Sequence, residues 1–181
     1  MYAKVFKRFF NLNVSCMNGI YLIIGGNLGD RLALIEDCTR KIEKIVGPIL
    51  KSSSIYESES WGETDNPNYL NQVLFIESTF CAKEVLEKAL EIEKGLGRTR
   101  DKKWESRLID IDILFFNADI IDEKDLNIPH PHLHNRKFVL VPLNEIASEF
   151  IHPVLKTTIS NLLENCSDNL KVTKLIPNIK S

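Results

Sequence analysis

The sequence predicts an α+β fold of the ferredoxin-like type, in which an antiparallel sheet carries two long helices on one face. Four short runs rich in β-branched and aromatic residues are interleaved with two segments whose apolar residues recur every three or four positions. Their order is β-α-β-β-α-β, with no internal repeat or domain linker between them. The other face of the sheet is therefore expected to be partly free to carry a site.

The first half of this pattern begins with a strand over residues 20–26, a short apolar run that ends in two glycines. A helix is predicted from about Asp30 to Val46, with Asp30 as its N-cap. Residues 49–57 are predicted to form one strand, and residues 58–68, rich in turn formers, a loop. The expected apolar stripe of the helix consists of Leu32, Ile35, Cys38, Ile42 and Ile45.

The second half begins with a strand over residues 69–78 and a helix over residues 82–97, which glycines close. A charged loop, residues 98–107, leads into a fourth long strand over residues 109–116. Residues 117–130 are expected to make a small excursion from the sheet. Two short helices are predicted near the C-terminus, within the stretches NRKFVLVPLNEIA and LKTTISNLLEN.

Length and composition indicate one domain. The chain has 181 residues, 44% of them hydrophobic and 27% charged, which suits a single domain over residues 19–181. Residues 1–18 are interpreted as an N-terminal extension that is flexible, because they lack the long apolar core of a targeting peptide. The four cysteines show no CxxC spacing, which favours free thiols in a reducing compartment, the cytoplasm.

The charge balance excludes some functions. A net charge of −2 argues against broad binding to nucleic acid or to an anionic membrane. The RNP1 pattern of an RNA-binding sheet is absent, and no apolar run reaches the ~20 residues of a membrane span. Small-molecule partners and a monomeric chain are expected.

The stretch RLIDIDILFF places two aspartates in a hydrophobic strand. Alternate side chains of a strand share a face, so Asp110 and Asp112 are expected to point together, roughly 7 Å apart, away from Ile109, Ile111 and Ile113. An edge strand can use such carboxylates against aggregation. Hard divalent cations also prefer carboxylate oxygens, so a metal site is the second interpretation.

The charged loop before this strand contains arginines that could bind phosphate. Guanidinium groups match phosphate oxygens, and a carboxylate-bound cation can neutralise the same phosphates from the other side. An ordinary solvated loop is the alternative. Together with the aspartate pair, the loop favours a polyphosphate ligand. Its basic residues are Arg98, Arg100, Lys102, Lys103 and Arg107.

Three other motifs are less specific. GGNLGD (25–30) matches neither the Walker nor the Rossmann pattern, so a tight glycine turn explains it at least as well as an anion site. Tyr69 and Asn71 share a strand face, which suits a flat heterocycle but is also typical of a core tyrosine with a satisfied asparagine. The alternating histidines of PHPHLH lack the four ligands of a structural zinc site.

Taken together, the motifs resemble one family. GGNLGD, SSIYESESWG, NPNYLNQV, IEKGLGRTR, RLIDIDILFF and IPHPHLHNRKFVLVPLNEIA occur in this order between about residues 20 and 150. They are similar to the 6-hydroxymethyl-7,8-dihydropterin pyrophosphokinases of folate biosynthesis. The resemblance implies a ferredoxin-like fold and transfer of the terminal pyrophosphate of ATP to the hydroxymethyl group of the pterin, with release of AMP.

The resemblance also implies roles for individual residues. Asp110 and Asp112 are expected to hold two Mg²⁺ ions on the triphosphate and, with Arg98 and Arg107, to form the catalytic set. The ATP contacts that it implies are Glu93, Ile113, His130 and Arg136. The pterin contacts that it implies are Ser58, Trp61, Tyr69, Asn71, Trp104 and Phe138, with Trp104 closing over the substrates.

Two other functions remain open at this point. The metal strand could serve another Mg²⁺-dependent nucleotidyl or phosphoryl transferase, which would use ATP but no pterin. A non-catalytic module that binds a small ligand is the second possibility, although it would not need the aspartate pair and the arginine loop together.

Overall fold

The fold is given by a computed structural model that describes residues 17–59, 67–98 and 108–176. Its strands are β1 (Asn18–Gly26), β2 (Ile49–Ser52), β3 (Tyr56–Ser58), β4 (Tyr69–Ser78), β5 (Asp110–Phe116), β6 (Ile121–Glu123), β7 (Leu126–Ile128) and β8 (Val172–Lys174). Its helices are α1 (Arg31–Ile45), α2 (Ala82–Gly95), α3 (Lys137–Ala147) and α4 (Ile159–Glu164).

One sheet organises the described residues. Its strand order is β5-β1-β4-β3-β8, and β2 also pairs with β4. All of these pairings are antiparallel, and β6 and β7 form a separate hairpin. The α+β class predicted from the sequence is therefore confirmed, and the predicted β-α-β-β-α-β order holds except that its second strand is divided into β2 and β3.

Helices α1 and α2 cover one face of the sheet, and their ends are capped locally. The Asp30 carboxylate accepts the Ala33 N–H at 3.1 Å, and the Glu84 carboxylate accepts the Cys81 N–H at 2.8 Å. Each buried Leu, Ile or Val side chain contributes about 1.5–3 kcal/mol. Among the residues of this core are Ile20, Leu22, Ile24, Ile35, Cys38, Ile42, Leu70, Leu74, Ile76, Val85, Ala89, Ile92, Ile109, Ile111 and Ile113.

The opposite face carries a second core, so it is less open than the sequence suggested. Helices α3 and α4 pack there against one end of the sheet. The sequence analysis expected short C-terminal helices but did not place them on this face. Their apolar partners are Ile23, Val73, Leu114, Phe115, Leu133, Val139, Leu140, Leu143 and Ile159.

Two local expectations were wrong, and one strand was not predicted. Residues 49–57 form two strands instead of one, because Ser53 interrupts the ladder: its hydroxyl accepts the Val73 N–H at 2.9 Å. Leu32 is 41% exposed instead of lying on the buried stripe of α1. Strand β8 was not anticipated, because three residues carry too little pattern to indicate a strand.

Other sequence-based expectations have mixed outcomes. Cys38, Cys81 and Cys166 are free thiols, as expected, and burial raises the pKa of Cys38 to about 12. Residues 1–16, which carry most of the predicted extension, lie outside the described residues. No helix in the described part of the chain is both long enough and apolar enough to cross a membrane.

A buried histidine makes the second core sensitive to acid. His152 is 4% exposed, and its Nδ1 accepts the N–H groups of Val154 at 3.2 Å and Leu155 at 3.1 Å. Burial lowers the pKa of His152 to about 4, and the charge of His134 acts in the same direction. Protonation at Nδ1 would break both hydrogen bonds.

The free energy of unfolding is therefore expected to fall as the pH is lowered from about 6.5, the ordinary pKa of histidine, towards 4. In that window the unfolded chain takes up a proton that the folded chain excludes. Denaturant titrations at several pH values measure this slope. His152→Asn retains an acceptor but does not titrate, so its slope should be smaller, while the contributions of His130 and Glu93 are common to both proteins. Equal slopes in the two proteins would contradict the assignment.

Candidate active site

The two aspartates of β5 point away from the α1/α2 core. In the pairing of β1 with β5, Asp110 lies opposite Gly25 and Asp112 lies opposite Ile23. Ile23 belongs to the core beneath α3, whereas Ile111 belongs to the core beneath α1 and α2. The expectation that the two carboxylates share one face of the strand is therefore confirmed.

A buried glutamate holds the residues next to the first aspartate. Glu93, at the end of α2, is 2% exposed and accepts the Ile111 N–H at 2.8 Å. Its carboxylate also forms an ion pair with Arg98, whose Nη1 lies 2.8 Å from Asp110 Oδ1. Burial raises the pKa of Glu93, while the Ile111 N–H and the Arg98 guanidinium oppose this effect. Glu93 thus fixes both the strand and the arginine at the position of the first carboxylate.

The second aspartate faces a histidine. His130 Nε2 lies 4.0 Å from Asp112 Oδ2, and His130 Nδ1 accepts the His132 N–H at 3.3 Å. Burial lowers the pKa of His130 to about 4, with the charge of Arg136 acting in the same direction. The imidazole is therefore neutral at pH 7 and carries its proton on Nε2, the nitrogen nearer to Asp112.

Arg136 and Phe138 lie together at the start of α3. The Arg136 guanidinium carbon is 5.8 Å from the centroid of the Phe138 ring, within the range of a cation–π contact. The Lys137 N–H donates to Asp168 at 2.8 Å, which ties this helix start to the C-terminal segment. A charged donor and an aromatic ring are thus held side by side.

The third group of residues lies at the ends of β3 and β4. Ser58 pairs with Tyr69, and the Asn71 Nδ2 donates to Ser58 Oγ at 3.1 Å. Ser58 is 2% exposed and Asn71 4% exposed. This hydrogen bond orients the Asn71 amide and directs its oxygen towards β1.

Gly25 joins the two halves of the site, and the sequence analysis missed this role. It pairs with Asn71 on one side and with Asp110 on the other, so the three residues form a row across β4, β1 and β5. A Cβ on Gly25 would collide with Asn71 Oδ1 and would lie 2.9 Å from the Leu70 carbonyl oxygen. No local pattern in the sequence signals this role, because it depends on the register of three strands.

The row sets the dimensions of the site. Asn71 and Asp110 are two strand spacings apart, about 10 Å.

Ile113 is 6% exposed and packs in the α1/α2 core, which leaves its backbone as the part that could contact ATP. Three of the predicted site residues lie outside the described residues: Trp61, Trp104 and Arg107.

Comparison with known proteins shows the family of the chain. The sequence model of the 7,8-dihydro-6-hydroxymethylpterin-pyrophosphokinase (HPPK) family matches residues 21–148. A 2-amino-4-hydroxy-6-hydroxymethyldihydropteridine pyrophosphokinase of Aquifex aeolicus is 40% identical over 140 residues, which are 77% of this chain and 87% of that protein. The protein of the same name from Haemophilus influenzae is 35% identical over 158 residues, 87% of this chain and 98% of its own length.

Solved structures show the same fold. A wild-type HPPK-DHPS crystal structure from Plasmodium falciparum matches with a TM-score of 0.65 and 20% sequence identity. The match covers 82% of this chain and 41% of that longer chain. The family match over residues 21–148, together with relatives that share 35–40% identity over most of their length, means that this chain belongs to the 7,8-dihydro-6-hydroxymethylpterin-pyrophosphokinase family.

Proposed function

We propose that β5 binds the triphosphate of ATP through Mg²⁺, and that the ends of β3 and β4 bind the pterin ring. As a member of its family, the chain transfers pyrophosphate from ATP to 6-hydroxymethyl-7,8-dihydropterin in folate biosynthesis. The row of Asn71, Gly25 and Asp110 is the observation that supports this division of the site. The row places the Asn71 amide and the Asp110 carboxylate on one face of the sheet, about 10 Å apart, with Gly25 between them.

The donor set suits two magnesium ions. Asp110 and Asp112 supply hard carboxylate oxygens on one face, the donor type that Mg²⁺ prefers, and Mg²⁺ would share Asp110 with Arg98. Within residues 17–59, 67–98 and 108–176, no three His, Cys, Asp or Glu side chains converge as a complete metal site. Oxygen atoms of the triphosphate would therefore have to complete the coordination. Bound there, magnesium would neutralise phosphate charge.

The protein side chains would then do three things. Arg98, His130 and Arg136 would donate hydrogen bonds to phosphate oxygens, with Glu93 holding Arg98 in place. The Asn71 amide would read the edge of the pterin, and Tyr69 and Phe138 would stack on its faces. Transfer of this kind depends on positioning and on neutralised charge, so no side chain is assigned as general base.

Product analysis tests the reaction directly. The protein is incubated with ATP, Mg²⁺ and 6-hydroxymethyl-7,8-dihydropterin, and the nucleotide product is identified by chromatography. Pyrophosphate transfer yields AMP in an amount equal to the pyrophosphorylated pterin. Formation of ADP would indicate a phosphoryl transferase instead, and no turnover would favour a ligand-binding module.

Removing either stacking ring is expected to weaken pterin binding more than ATP binding. Tyr69→Ala and Phe138→Ala should each raise the pterin Kd by about 2- to 13-fold, which corresponds to 0.5–1.5 kcal/mol per stacking face. Calorimetry with a pterin analogue and with a non-hydrolysable ATP analogue measures both affinities. Phe80→Ala is the control, because Phe80 contacts Lys88 instead of the site. Equal losses for the two ligands would indicate a packing role.

Two further properties are predictions from the sequence alone. We expect the enzyme to act as a monomer. We expect a cytoplasmic location, which agrees with the free thiols of Cys38, Cys81 and Cys166.

A further inference from the structure

The first residue of α1 joins both strands that carry the proposed pterin contacts. Arg31 Nη1 donates to Glu57 Oε1 at 2.9 Å and to the Asn68 carbonyl oxygen at 2.7 Å. Glu57 directly precedes Ser58 in β3, and Asn68 directly precedes Tyr69 of β4. One guanidinium nitrogen therefore connects the residues that precede Ser58 and Tyr69.

Arg31 lies on the far side of the sheet from the proposed ligand. Glu57 pairs with Leu70, which belongs to the core beneath α1 and α2. Ser58 and Tyr69 alternate with these residues along their strands and so face the other way. Arg31 consequently acts on the site through the two strands, without touching the pterin.

A second contact from the same turn supports this connection. Asn27, which is 2% exposed and precedes α1, donates to the Pro67 carbonyl oxygen at 3.3 Å. Asp30 caps α1 and thereby fixes the start of the helix, where Arg31 is the first residue. The turn between β1 and α1 is therefore attached to the chain on both sides of residues 60–66.

We infer that Arg31 is a positioning residue for the pterin: it sets the spacing of β3 and β4, and with it the Asn71–Ser58 hydrogen bond that orients the Asn71 amide. This inference rests on the pterin site proposed above. It assigns a purpose to the last part of the GGNLGDR stretch, which matches no phosphate-binding pattern. The Mg²⁺–ATP half of the site lies on β5, which β1 separates from β4, the nearer of the two strands that Arg31 joins, and it should not depend on Arg31.

The test compares ligand affinities in variants of the full chain. Arg31→Met retains the aliphatic part of the side chain but loses the donors, and should raise the Kd for 6-hydroxymethyl-7,8-dihydropterin about fivefold or more. The Kd for a non-hydrolysable ATP analogue with Mg²⁺ should change less than about twofold. Arg31→Lys should recover part of the pterin affinity, because an ammonium group can still donate to Glu57 and Asn68.

Two comparisons make the result specific. Arg40→Met, on the same helix but exposed and 3.5 Å from Asp37, should leave both affinities unchanged. If Tyr69→Ala does not alter the pterin Kd, the proposed pterin site is wrong and the inference fails with it. If Tyr69→Ala weakens pterin binding and Arg31→Met does not, or if Arg31→Met weakens both ligands equally, only the role of Arg31 is refuted. Should Arg31→Met fail to fold, Arg31→Lys and Glu57→Gln replace it. In these variants the increase in the pterin Kd is compared with the increase in the Kd for the ATP analogue.

Discussion

Replacing Asp112 with asparagine is expected to lower turnover by at least about 100-fold, because a charged ligand to the triphosphate-bound metal is lost. Asp112 is 46% exposed on its side chain, and its neighbour His130 is neutral. The substitution therefore removes the charge of a half-exposed side chain whose histidine neighbour is itself uncharged. Steady-state assays over a range of Mg²⁺ concentrations measure the loss, and thermal melting shows whether the fold persists.

Two further variants sharpen this experiment. Asp110→Asn should be equally inactive but less stable, since it also breaks the ion pair with Arg98 beside buried Glu93. Asp122→Asn, on the exposed hairpin strand β6, is the matched control and should behave as wild type. Near-normal turnover in both Asp110→Asn and Asp112→Asn would refute the assignment of β5 as the metal strand.

Gly25→Ala is expected to reduce the kcat/KM for the pterin by more than about tenfold, because the added methyl group displaces the Asn71 amide. A Cβ at this position would collide with Asn71 Oδ1 and crowd the Leu70 carbonyl oxygen. Overpacking of this kind also costs about 1–3 kcal/mol of stability. Kinetics at varied pterin concentration measure the loss of kcat/KM, and denaturant unfolding measures the loss of stability separately.

Gly95→Ala provides the control for this substitution. A Cβ on Gly95 meets no atom within 4 Å, so that variant should retain both activity and stability. In the double variant Gly25→Ala/Asn71→Ala the main collision is removed. Stability should then recover in part, whereas the affinity for the pterin should not. An unchanged pterin KM in Gly25→Ala would show that the glycine matters only for packing within the sheet.

Local patterns in the sequence predicted most of the elements. The strand at residues 69–78 was predicted at its observed boundaries, and Asp30 caps α1 as expected. Both features depend on residues close together in the chain: alternation along one strand, and a carboxylate beside the free N–H groups of a helix start. The break at Ser53 depends instead on a hydrogen bond to Val73, twenty positions away, and so left no local signal.

The proposed site was predicted unevenly for the same reason. Two aspartates at alternate positions in a hydrophobic strand are visible in any reading of the sequence. The resemblance named Glu93 as an ATP contact, but its role in holding Arg98 and β5 had no local signal, because Glu93 is one more charge on a helix rich in charges. Only the packing of α2 against β5 buries it beside Arg98 and the Ile111 N–H.

By itself, therefore, the sequence determined the class of fold, the face on which Asp110 and Asp112 lie, and the family resemblance, since each follows from residue types and short spacings. The tertiary structure alone decided which residues from distant strands meet. Strand register placed Gly25 between Asn71 and Asp110, and the turn into α1 brought Arg31 to β3 and β4. Register and packing are properties of the whole sheet, because every strand must bury its apolar face at once, and no short stretch of sequence encodes them.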